Sequence, residues 1–354
     1  MLYNMRRISF AAAALAALMM SCSGGCREVV DEAAIPVDRA ELTAVALDDS
    51  TMFPTDLVLM SDSILAVHER KNQTGFMTIY NTNTQQPVAA VGVIGEGPDD
   101  FVNPRLLHCL NTEKEFYIGD AKKIVCFSAD SLSAEGYSGN KIMSLPSDAM
   151  FYNYILINND SQLVYSQTGE HPISRFSKST RELTFTDYWP DVDWAEGSDF
   201  IRNMEVFANC MTSAGNEIAI AYHNWNVISI IDSDGGRRAE IYLPEWDYNS
   251  GRMHIDTSAG NLVFDNDARI FFTKIKSDAG HIYALDWAAT KEQIRNGEAG
   301  SSIYVLDWDG NIIRKIVFGR SVSNFCIKDG TIPYVTAIGD DGEVHVFGCR
   351  LTAE

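Results

Sequence analysis

The chain has 354 residues, of which 28 are Lys or Arg and 48 are Asp or Glu, so its formal net charge is −20. A surface this acidic repels phosphate backbones and anionic lipid head groups, which argues against nucleic acid and against direct adsorption to a membrane. The hydrophobic fraction of 46% is ordinary for a globular protein and sufficient for a large core.

The first 21 residues have the pattern of a signal peptide. Arg6 and Arg7 precede an apolar stretch over residues 11–20, and a small residue, Ser21, ends it. The apolar stretch is shorter than the roughly 20 residues that cross a bilayer as a helix. We therefore predict a cleaved segment over residues 1–21, a flexible tether over 22–40 and one folded domain over 41–354.

Residues 18–22, Leu-Met-Met-Ser-Cys, resemble the lipobox of bacterial lipoproteins, although a methionine stands where leucine or valine is commoner. The resemblance implies that Cys22 is acylated and becomes the first residue of the mature chain. Cys26 is a poorer alternative site, and an ordinary secretory signal is the other interpretation. The prediction is an outer-membrane lipoprotein, held by its acyl chains and facing either the periplasm or the cell exterior.

From about residue 50 onward the chain repeats a unit of short alternating strands separated by tight turns. Three turns carry Asp and Gly, at residues 232–235, 307–310 and 340–342, and both residue types tolerate the positive φ of hairpin turns. Six similar apolar runs mark the third strand of each unit, and they lie at residues 77–80, 124–127, 173–176, 227–231, 303–306 and 344–347. The starts of most successive runs are separated by ~40–50 residues, which is the spacing typical of a four-stranded propeller blade.

These repeats predict an all-β fold, a six-bladed β-propeller of four-stranded antiparallel blades. A unit of four sequential strands buries its two faces only against copies of itself, and six copies close a ring. The strand-like residues 42–47 can complete the last blade and remove its free edge. The one long interval, between residues 227 and 303, contains a helix-like stretch at 287–295. We therefore predict a small helical insertion at 278–301, in blade five.

Residues 92–101, Gly-Val-Ile-Gly-Glu-Gly-Pro-Asp-Asp-Phe, form the most specific motif of the chain. They resemble the Gly-x-Gly-Pro-Gly-Glu-Phe signature of the TolB-like six-bladed propeller lipoproteins of Bacteroides-type bacteria, with Asp99 and Asp100 in place of Gly and Glu. The resemblance implies the fold and an envelope location, and it assigns no catalytic residue. A phosphate-binding loop is disfavoured because prolines follow instead of a helix. We predict a crossover between blades one and two with Phe101 packed between them.

Propeller geometry places a ligand site at the mouth of the central channel, where the first strand of each blade starts. The polar residues predicted near those starts are Asp56, Asn103, Arg105, Asn153, Arg202, Glu205, His254, Asp256 and Asn324. Their carboxylates, amides and imidazole could hold calcium, as in lactonase-like six-bladed propellers, where the metal polarises an ester or lactone carbonyl. The arginines would instead suit a carboxylate on a sugar acid or a peptide terminus. A third interpretation is that these groups only solvate a water-filled channel.

Other residue types carry little chemical signal. The histidines are scattered, and neither His-Glu-x-x-His nor Gly-x-Ser-x-Gly occurs. The cysteines of one blade fall on its first and third strands, too far apart for a disulfide, so we expect mostly unpaired thiols. Four tryptophans could form a flat rim for a sugar or a protein, or could pack between blades, and these are Trp189, Trp194, Trp225 and Trp246.

The function that the sequence favours is an envelope lipoprotein whose propeller binds a protein or a glycan without catalysis. The alternative is a calcium-dependent hydrolase or lyase with its site in the central channel. No catalytic residue, cofactor or metal ligand is predicted under the first interpretation.

Overall fold

A computed structural model describes residues 27–47, 53–69, 75–112, 114–120, 123–132, 137–145, 153–157, 162–166, 171–186, 188–193, 202, 208–256 and 261–353. The predicted signal segment and Cys22 lie outside these residues. No helix in the described part is long and apolar enough to cross a membrane.

The first three blades follow one another along the chain, each a sheet of four antiparallel strands in sequential order. Blade 1 contains β2 (Pro54–Ser61), β3 (Ile64–Glu69), β4 (Met77–Asn81) and β5 (Gln86–Val91). Blade 2 contains β6 (Arg105–Thr112), β7 (Glu115–Gly119), β8 (Lys123–Ser128) and β9 (Asn140–Ser144), with a 3-10 turn at Ala129–Ser131. Blade 3 contains β10 (Asn153–Ile157), β11 (Gln162–Ser166), β12 (Ile173–Ser177) and β13 (Leu183–Thr186).

The last three blades repeat the pattern with additions. Blade 4 contains β14 (Asn209–Ala214), β15 (Glu217–Tyr222), β16 (Val227–Asp232) and β17 (Arg237–Tyr242), and a separate hairpin of β18 (Met253–Asp256) and β19 (Asn261–Phe264) follows it. Blade 5 contains β20 (Arg269–Ser277), β21 (His281–Thr290), helix α1 (Lys291–Arg295), β22 (Ser301–Asp307) and β23 (Ile312–Phe318). Blade 6 contains β24 (Val322–Phe325), β25 (Tyr334–Ile338), β26 (Val344–Ala353) and the N-terminal β1 (Val37–Ala44).

The first strands of neighbouring blades contact one another around the whole ring, which confirms the predicted six-bladed propeller. Each of the six apolar runs chosen from the sequence is the third strand of its blade. The β16 strand shows why such runs are apolar on both faces. Val227 and Ile231 pack towards blade 3, whereas Ile228 and Ile230 pack against residues of blade 5 such as Phe271. A central strand between two blades has no solvent face, so it requires an almost continuous apolar sequence.

The ring is closed by β1, which pairs antiparallel with β26 from Asp38 opposite Ala353 to Ala44 opposite Phe347. Closure by an N-terminal strand is confirmed, and the strand begins five residues earlier than the predicted 42–47. The β1 strand also pairs in parallel with β23, so blades 5 and 6 share one eight-stranded sheet. Free sheet edges invite association with other chains, and this closure removes one between the last two blades.

Residues 27–36, predicted as part of a flexible tether, lie along the outer rim of blades 4 and 5. Arg27 forms two ion pairs, with Asp191 and Asp193, both at 2.9 Å. Its guanidinium carbon lies 4.6 Å from the centre of the Trp246 ring. Further along, a 3-10 turn at Glu32–Ala34 places the Glu32 carboxylate beside the Tyr304 hydroxyl, which donates to it at 2.8 Å. We call residues 27–36 the N-terminal strap.

The interval between the third strands of blades 4 and 5 is long for two reasons. The helical insertion in blade 5 is confirmed, but it is smaller than the helix-like stretch 287–295, because β21 continues to Thr290 before α1 begins. The β18–β19 hairpin supplies the other extra residues and was not predicted. His254 and Asp256 therefore do not start the first strand of blade 5, as the sequence suggested; they belong to β18, and β20 is that first strand.

The crossover between blades 1 and 2 has the predicted form. The Phe101 side chain is buried, and its ring meets the Phe76 ring edge-on at 4.8 Å between centroids. Gly92 has a φ of 76°, and a Cβ there would lie 2.0 Å from the Phe76 ring. The Asp100 carboxylate accepts a hydrogen bond from the Gly97 amide at 2.8 Å, which closes the turn.

The Asp-Gly turns are hairpin turns. Asp232 Oδ1 accepts from the backbone amides of Asp234 at 2.9 Å and Gly236 at 2.8 Å, and Gly235 has a φ of 89°. Asp307 binds the amides of its own turn in the same way.

Gly92→Ala should destabilise the propeller more than Gly215→Ala does. Both glycines have positive φ, of 76° and 58°, so both substitutions incur the left-handed backbone penalty of about 1–2 kcal/mol. Only at Gly92 must the new methyl also displace a buried ring, which adds about 1–3 kcal/mol, because nothing lies within 4 Å of a Cβ at Gly215. Urea unfolding of the two variants measures the difference, and equal losses would contradict the packing argument.

Candidate functional site

The centre of the channel holds a buried ion pair that joins three blades. Lys276, on β20 of blade 5, is 4% exposed, and its ammonium donates to Asp56 Oδ1 of blade 1 at 3.3 Å. The same ammonium donates to the carbonyls of Leu57, at 3.3 Å, and Phe325 in blade 6. Burial lowers the pKa of Lys276, and the nearby Asp56 carboxylate opposes that shift. The ion pair therefore links blades 1, 5 and 6 across the ring.

Two of the predicted channel residues meet at this point, namely Asp56 and Asn324. Asn324 is buried, donates from Nδ2 to the Thr55 carbonyl at 3.0 Å, and accepts at Oδ1 from the Phe325 amide at 2.8 Å. Lys276 was missed from the sequence. Its signal is a lysine inside the apolar run of β20, where a charged residue on a central strand requires a buried partner.

Asp56 is poorly suited to hold calcium. Its second carboxylate oxygen lies 3.4 Å from Lys274 Nζ, so two ammonium groups already face the carboxylate. Among the described residues, no three His, Cys, Asp or Glu side chains are grouped as metal ligands.

The remaining predicted residues that the structure describes lie on several separate elements. Asn103 and Arg105 are exposed at the start of blade 2. The backbone N–H of Asn103 donates to Asp120 Oδ1 at 2.7 Å. Arg202 is exposed, Asn153 begins β10, and Glu205 lies outside the described residues. His254 stands 3.8 Å from the Asp265 carboxylate in the added hairpin, away from the channel.

A large cavity lies where the first strands of blades 4 and 5 begin, under the added hairpin and α1. Its volume is about 830 Å³. We call it the hairpin pocket, and it is lined by Ala208, His223, Asn224, Leu262, Phe264, Asp265, Asn266, Ala268, Arg269, Ile270, Lys291, Glu292 and Arg295. None of these residues belongs to the predicted set, because two insertions into the repeat build the pocket.

Two cations of α1 line the hairpin pocket, and the carboxylates of Asp265 and Glu292 line it as well. Lys291 and Arg295 are one helical turn apart, so they lie on the same side of the helix. Neither forms an ion pair with any residue in the described part of the chain. The helix is fixed by a capping box in which Thr290 and Gln293 bond reciprocally. The Lys291 ammonium also lies 5.7 Å from the centre of the Phe264 ring.

The opposite wall is rigid and offers a hydrogen-bond acceptor. His223 Nδ1 lies 3.1 Å from the Phe272 carbonyl, so it carries the proton and leaves Nε2 as an acceptor. Burial lowers the pKa of His223 and keeps the ring neutral. Asn249 bridges the wall by donating to the carbonyls of Asn224 and Arg269, both at 2.8 Å.

The three described tryptophans of the predicted rim do not form one exposed surface. Trp225 is fully buried in the core shared by blades 3 and 4, which is the packing alternative. Trp246 is partly buried beneath Arg27, and Trp189 is partly exposed on the outer rim. Trp194 lies outside the described residues.

The cysteines behave as predicted where they are described. Among the described cysteines, Cys210, Cys326 and Cys349 are free thiols. Burial raises the pKa of both Cys210 and Cys326 to about 12, so these thiols stay protonated and unreactive at neutral pH.

Comparisons with known proteins agree with this architecture. The family model described as TolB-like 6-blade propeller-like matches residues 38–330. A member of the DUF4221 family from Bacteroides vulgatus is 11% identical with a TM-score of 0.55, over 89% of this chain and 99% of its own. A candidate exported protein from Bacteroides fragilis is 10% identical with a TM-score of 0.50, over 89% of this chain and 95% of its own. Such low identities speak for the fold alone. No curated protein matches the sequence significantly.

Asp56→Asn should destabilise the protein by about 3–5 kcal/mol, because it leaves a buried ammonium without its counter-charge. Lys274→Met is the control, since the Lys274 side chain is 35% exposed and its ion pair is worth less than about 1 kcal/mol. Chemical denaturation of both variants measures the two losses. A loss of unfolding free energy for Asp56→Asn no larger than that for Lys274→Met would show that the Lys276–Asp56 ion pair does not stabilise the ring.

Proposed function

The chain belongs to the TolB-like six-blade propeller family, and we propose that it is an envelope lipoprotein whose hairpin pocket binds a carboxylate-bearing glycan or peptide without catalysis. The observation that carries the proposal is a pair of cations, Lys291 and Arg295, that form no ion pair in the described part of the chain and line a cavity of about 830 Å³ in a protein of net charge −20. A concave site of this size is typical of ligand pockets.

The chemistry of the pocket supports binding of an anionic ligand. Cations gain most from a carboxylate partner when no protein carboxylate already neutralises them. Leu262 and Phe264 supply an apolar wall for the carbon skeleton of a ligand, and His223 Nε2 accepts a hydrogen bond from a hydroxyl or amide. Arg269, by contrast, is already paired with Glu245 and lies over the Tyr248 ring. It therefore contributes mainly to the shape of the site.

Binding fits the lining better than catalysis does. Among the described residues that line the pocket, none is serine, threonine, cysteine or tyrosine, the side chains that most often supply a hydroxyl or thiol nucleophile. His223 uses one ring nitrogen to hold the Phe272 carbonyl, and burial disfavours its protonation. The groups that remain are suited to recognise charge and shape.

The leader supports a membrane anchor, and a solved structure of similar fold agrees with export. Residues 18–22 resemble a lipobox, and a similar propeller from Bacteroides fragilis is a candidate exported protein. We propose that Cys22 carries acyl chains that hold the propeller on the outer membrane, in line with the predicted location. The face of the membrane is open to either assignment.

Cys22→Ser should release the protein from the membrane. Without the acylated sulfur, only the acidic propeller remains, and it has no attraction for anionic lipid. The test expresses the full chain in a Bacteroides host and follows its partition into Triton X-114. The matched control is Cys26→Ser, which should stay in the detergent phase. Detergent partition of Cys22→Ser equal to that of the unmodified sequence would refute the assignment of Cys22. Protease treatment of intact cells then reports which face is exposed.

Galacturonic-acid oligosaccharides and peptides with a free C-terminus should bind the folded chain more tightly than their methyl esters and amides. Lys291→Ala with Arg295→Ala should weaken this binding at least about tenfold, the value of a charge-assisted hydrogen bond. Lys141→Ala with Lys178→Ala makes the same change of charge at exposed sites elsewhere and should bind normally. Calorimetry gives the affinities. Equal affinity for acids and esters would rule out the hairpin pocket as a carboxylate site. Equal affinity of the two double variants for the acids would rule it out as well.

A further inference from the structure

A second concave surface lies on the outer rim, between blades 3 and 4. Its volume is about 510 Å³. We call it the rim groove, and it is lined by Phe185, Thr186, Tyr188, Trp189, Asp234, Gly235 and Arg237. We propose that the rim groove is a binding site for a neutral saccharide, separate from the hairpin pocket and recognised by aromatic stacking and a balanced pair of charged side chains.

The aromatic surface of the groove is exposed and fixed in place. Phe185, on the edge strand β13, is 49% exposed although it is a large apolar side chain. Its ring stacks on the His171 ring, with centroids 4.6 Å apart and planes 23° from parallel. Trp189 adds a second, partly exposed ring. Flat apolar faces of this kind match the C–H face of a sugar ring, which buries carbon while its hydroxyls point sideways.

A buried carboxylate beneath the groove holds its polar wall. The Glu240 side chain is fully buried and accepts from the hydroxyls of Tyr188 and Tyr242, both at 2.6 Å. It also accepts from the Asp191 amide at 3.2 Å and pairs with Arg237 at 2.7 Å. The segment that carries Tyr188 and the guanidinium of Arg237 are therefore ordered before any ligand arrives. Such preorganisation lowers the entropy cost of binding.

The charges at the groove favour a neutral ligand. Arg237 keeps half of its side chain exposed, and Asp234 is 86% exposed while it pairs with Arg175 at 3.1 Å. One side offers donors and the other offers acceptors, so sugar hydroxyls can meet both. The one arginine and one aspartate of the lining cancel in charge. The lining of the hairpin pocket, by contrast, has three basic and two acidic residues and so one excess positive charge.

A peptide that adds to the edge of blade 3 fits less well. The β13 strand has only four residues. A Cβ placed on Gly235 would lie 2.2 Å from Thr186 Cγ2, so the turn between β16 and β17 presses against the end of this strand. An incoming strand would have three residues to pair with, too few for main-chain bonding to supply the affinity.

The test is an array of neutral gluco-, galacto-, manno- and xylo-oligosaccharides, followed by calorimetry on those retained. We expect at least one series to bind. Phe185→Ala should weaken it about fivefold or more through loss of the stacking ring, whereas Phe185→Tyr should retain it. Leu183→Ala is the matched control, since Leu183 is 41% exposed on the same strand and does not line the groove. Melting temperatures of all three variants check that they remain folded.

Several results would overturn the inference. The first is that no neutral oligosaccharide is retained. The second is that Phe185→Ala binds saccharide with the same affinity as the unmodified chain. The third is that Phe185→Ala weakens binding of an extended peptide instead of a sugar. Trp189→Phe gives a second readout, because saccharide binding should alter tryptophan fluorescence in the unmodified chain more than in this variant. The double variant Lys291→Ala with Arg295→Ala should bind neutral saccharides normally. Failure of either site is thus detected independently of the other.

Discussion

The closed ring depends on the buried ion pair between Lys276 and Asp56. The Lys276 ammonium lies on blade 5 and is held by the Asp56 carboxylate of blade 1 and by a carbonyl of blade 6, where the two ends of the chain come together. A buried charge is tolerated only with a partner and satisfied hydrogen bonds, so the three first strands must stay in their relative positions. Asn324 strengthens the same seam by bonding to the Thr55 carbonyl. The channel residues therefore serve closure, and the concave sites lie elsewhere.

Closure at the outer edge uses a different device, the backbone pairing of β1 with β26 and β23. The N-terminal strap continues from β1 along the rim to Arg27, whose two ion pairs hold Asp191 and Asp193. Tyr188, three residues before Asp191, lines the rim groove and donates a hydrogen bond to Glu240. One continuous set of contacts thus connects the segment nearest the proposed lipid anchor with the proposed saccharide site.

The two concave sites have different structural origins. The hairpin pocket exists because the β18–β19 hairpin and α1 are added above blades 4 and 5, and its cations lie on that added helix. The rim groove lies at the outer strand β13, where Phe185 is 49% exposed. The repeated strands supply a rigid support, and loops and edges remain free to vary in chemistry.

The sequence by itself determined the local features: the third strand of each blade, the hairpin turns at Asp232 and Asp307, the buried Phe101 of the glycine-rich crossover, and closure by the N-terminal strand. These features depend on the alternation of apolar and polar residues, on turn residues and on glycine geometry. Each of these involves only a few neighbouring residues, so it can be recognised in the sequence. Only the tertiary structure brought Asp56 to Lys276, 220 positions apart, and moved His254 into an added hairpin. Such contacts depend on how one blade is registered against another, which periodicity within a strand does not encode.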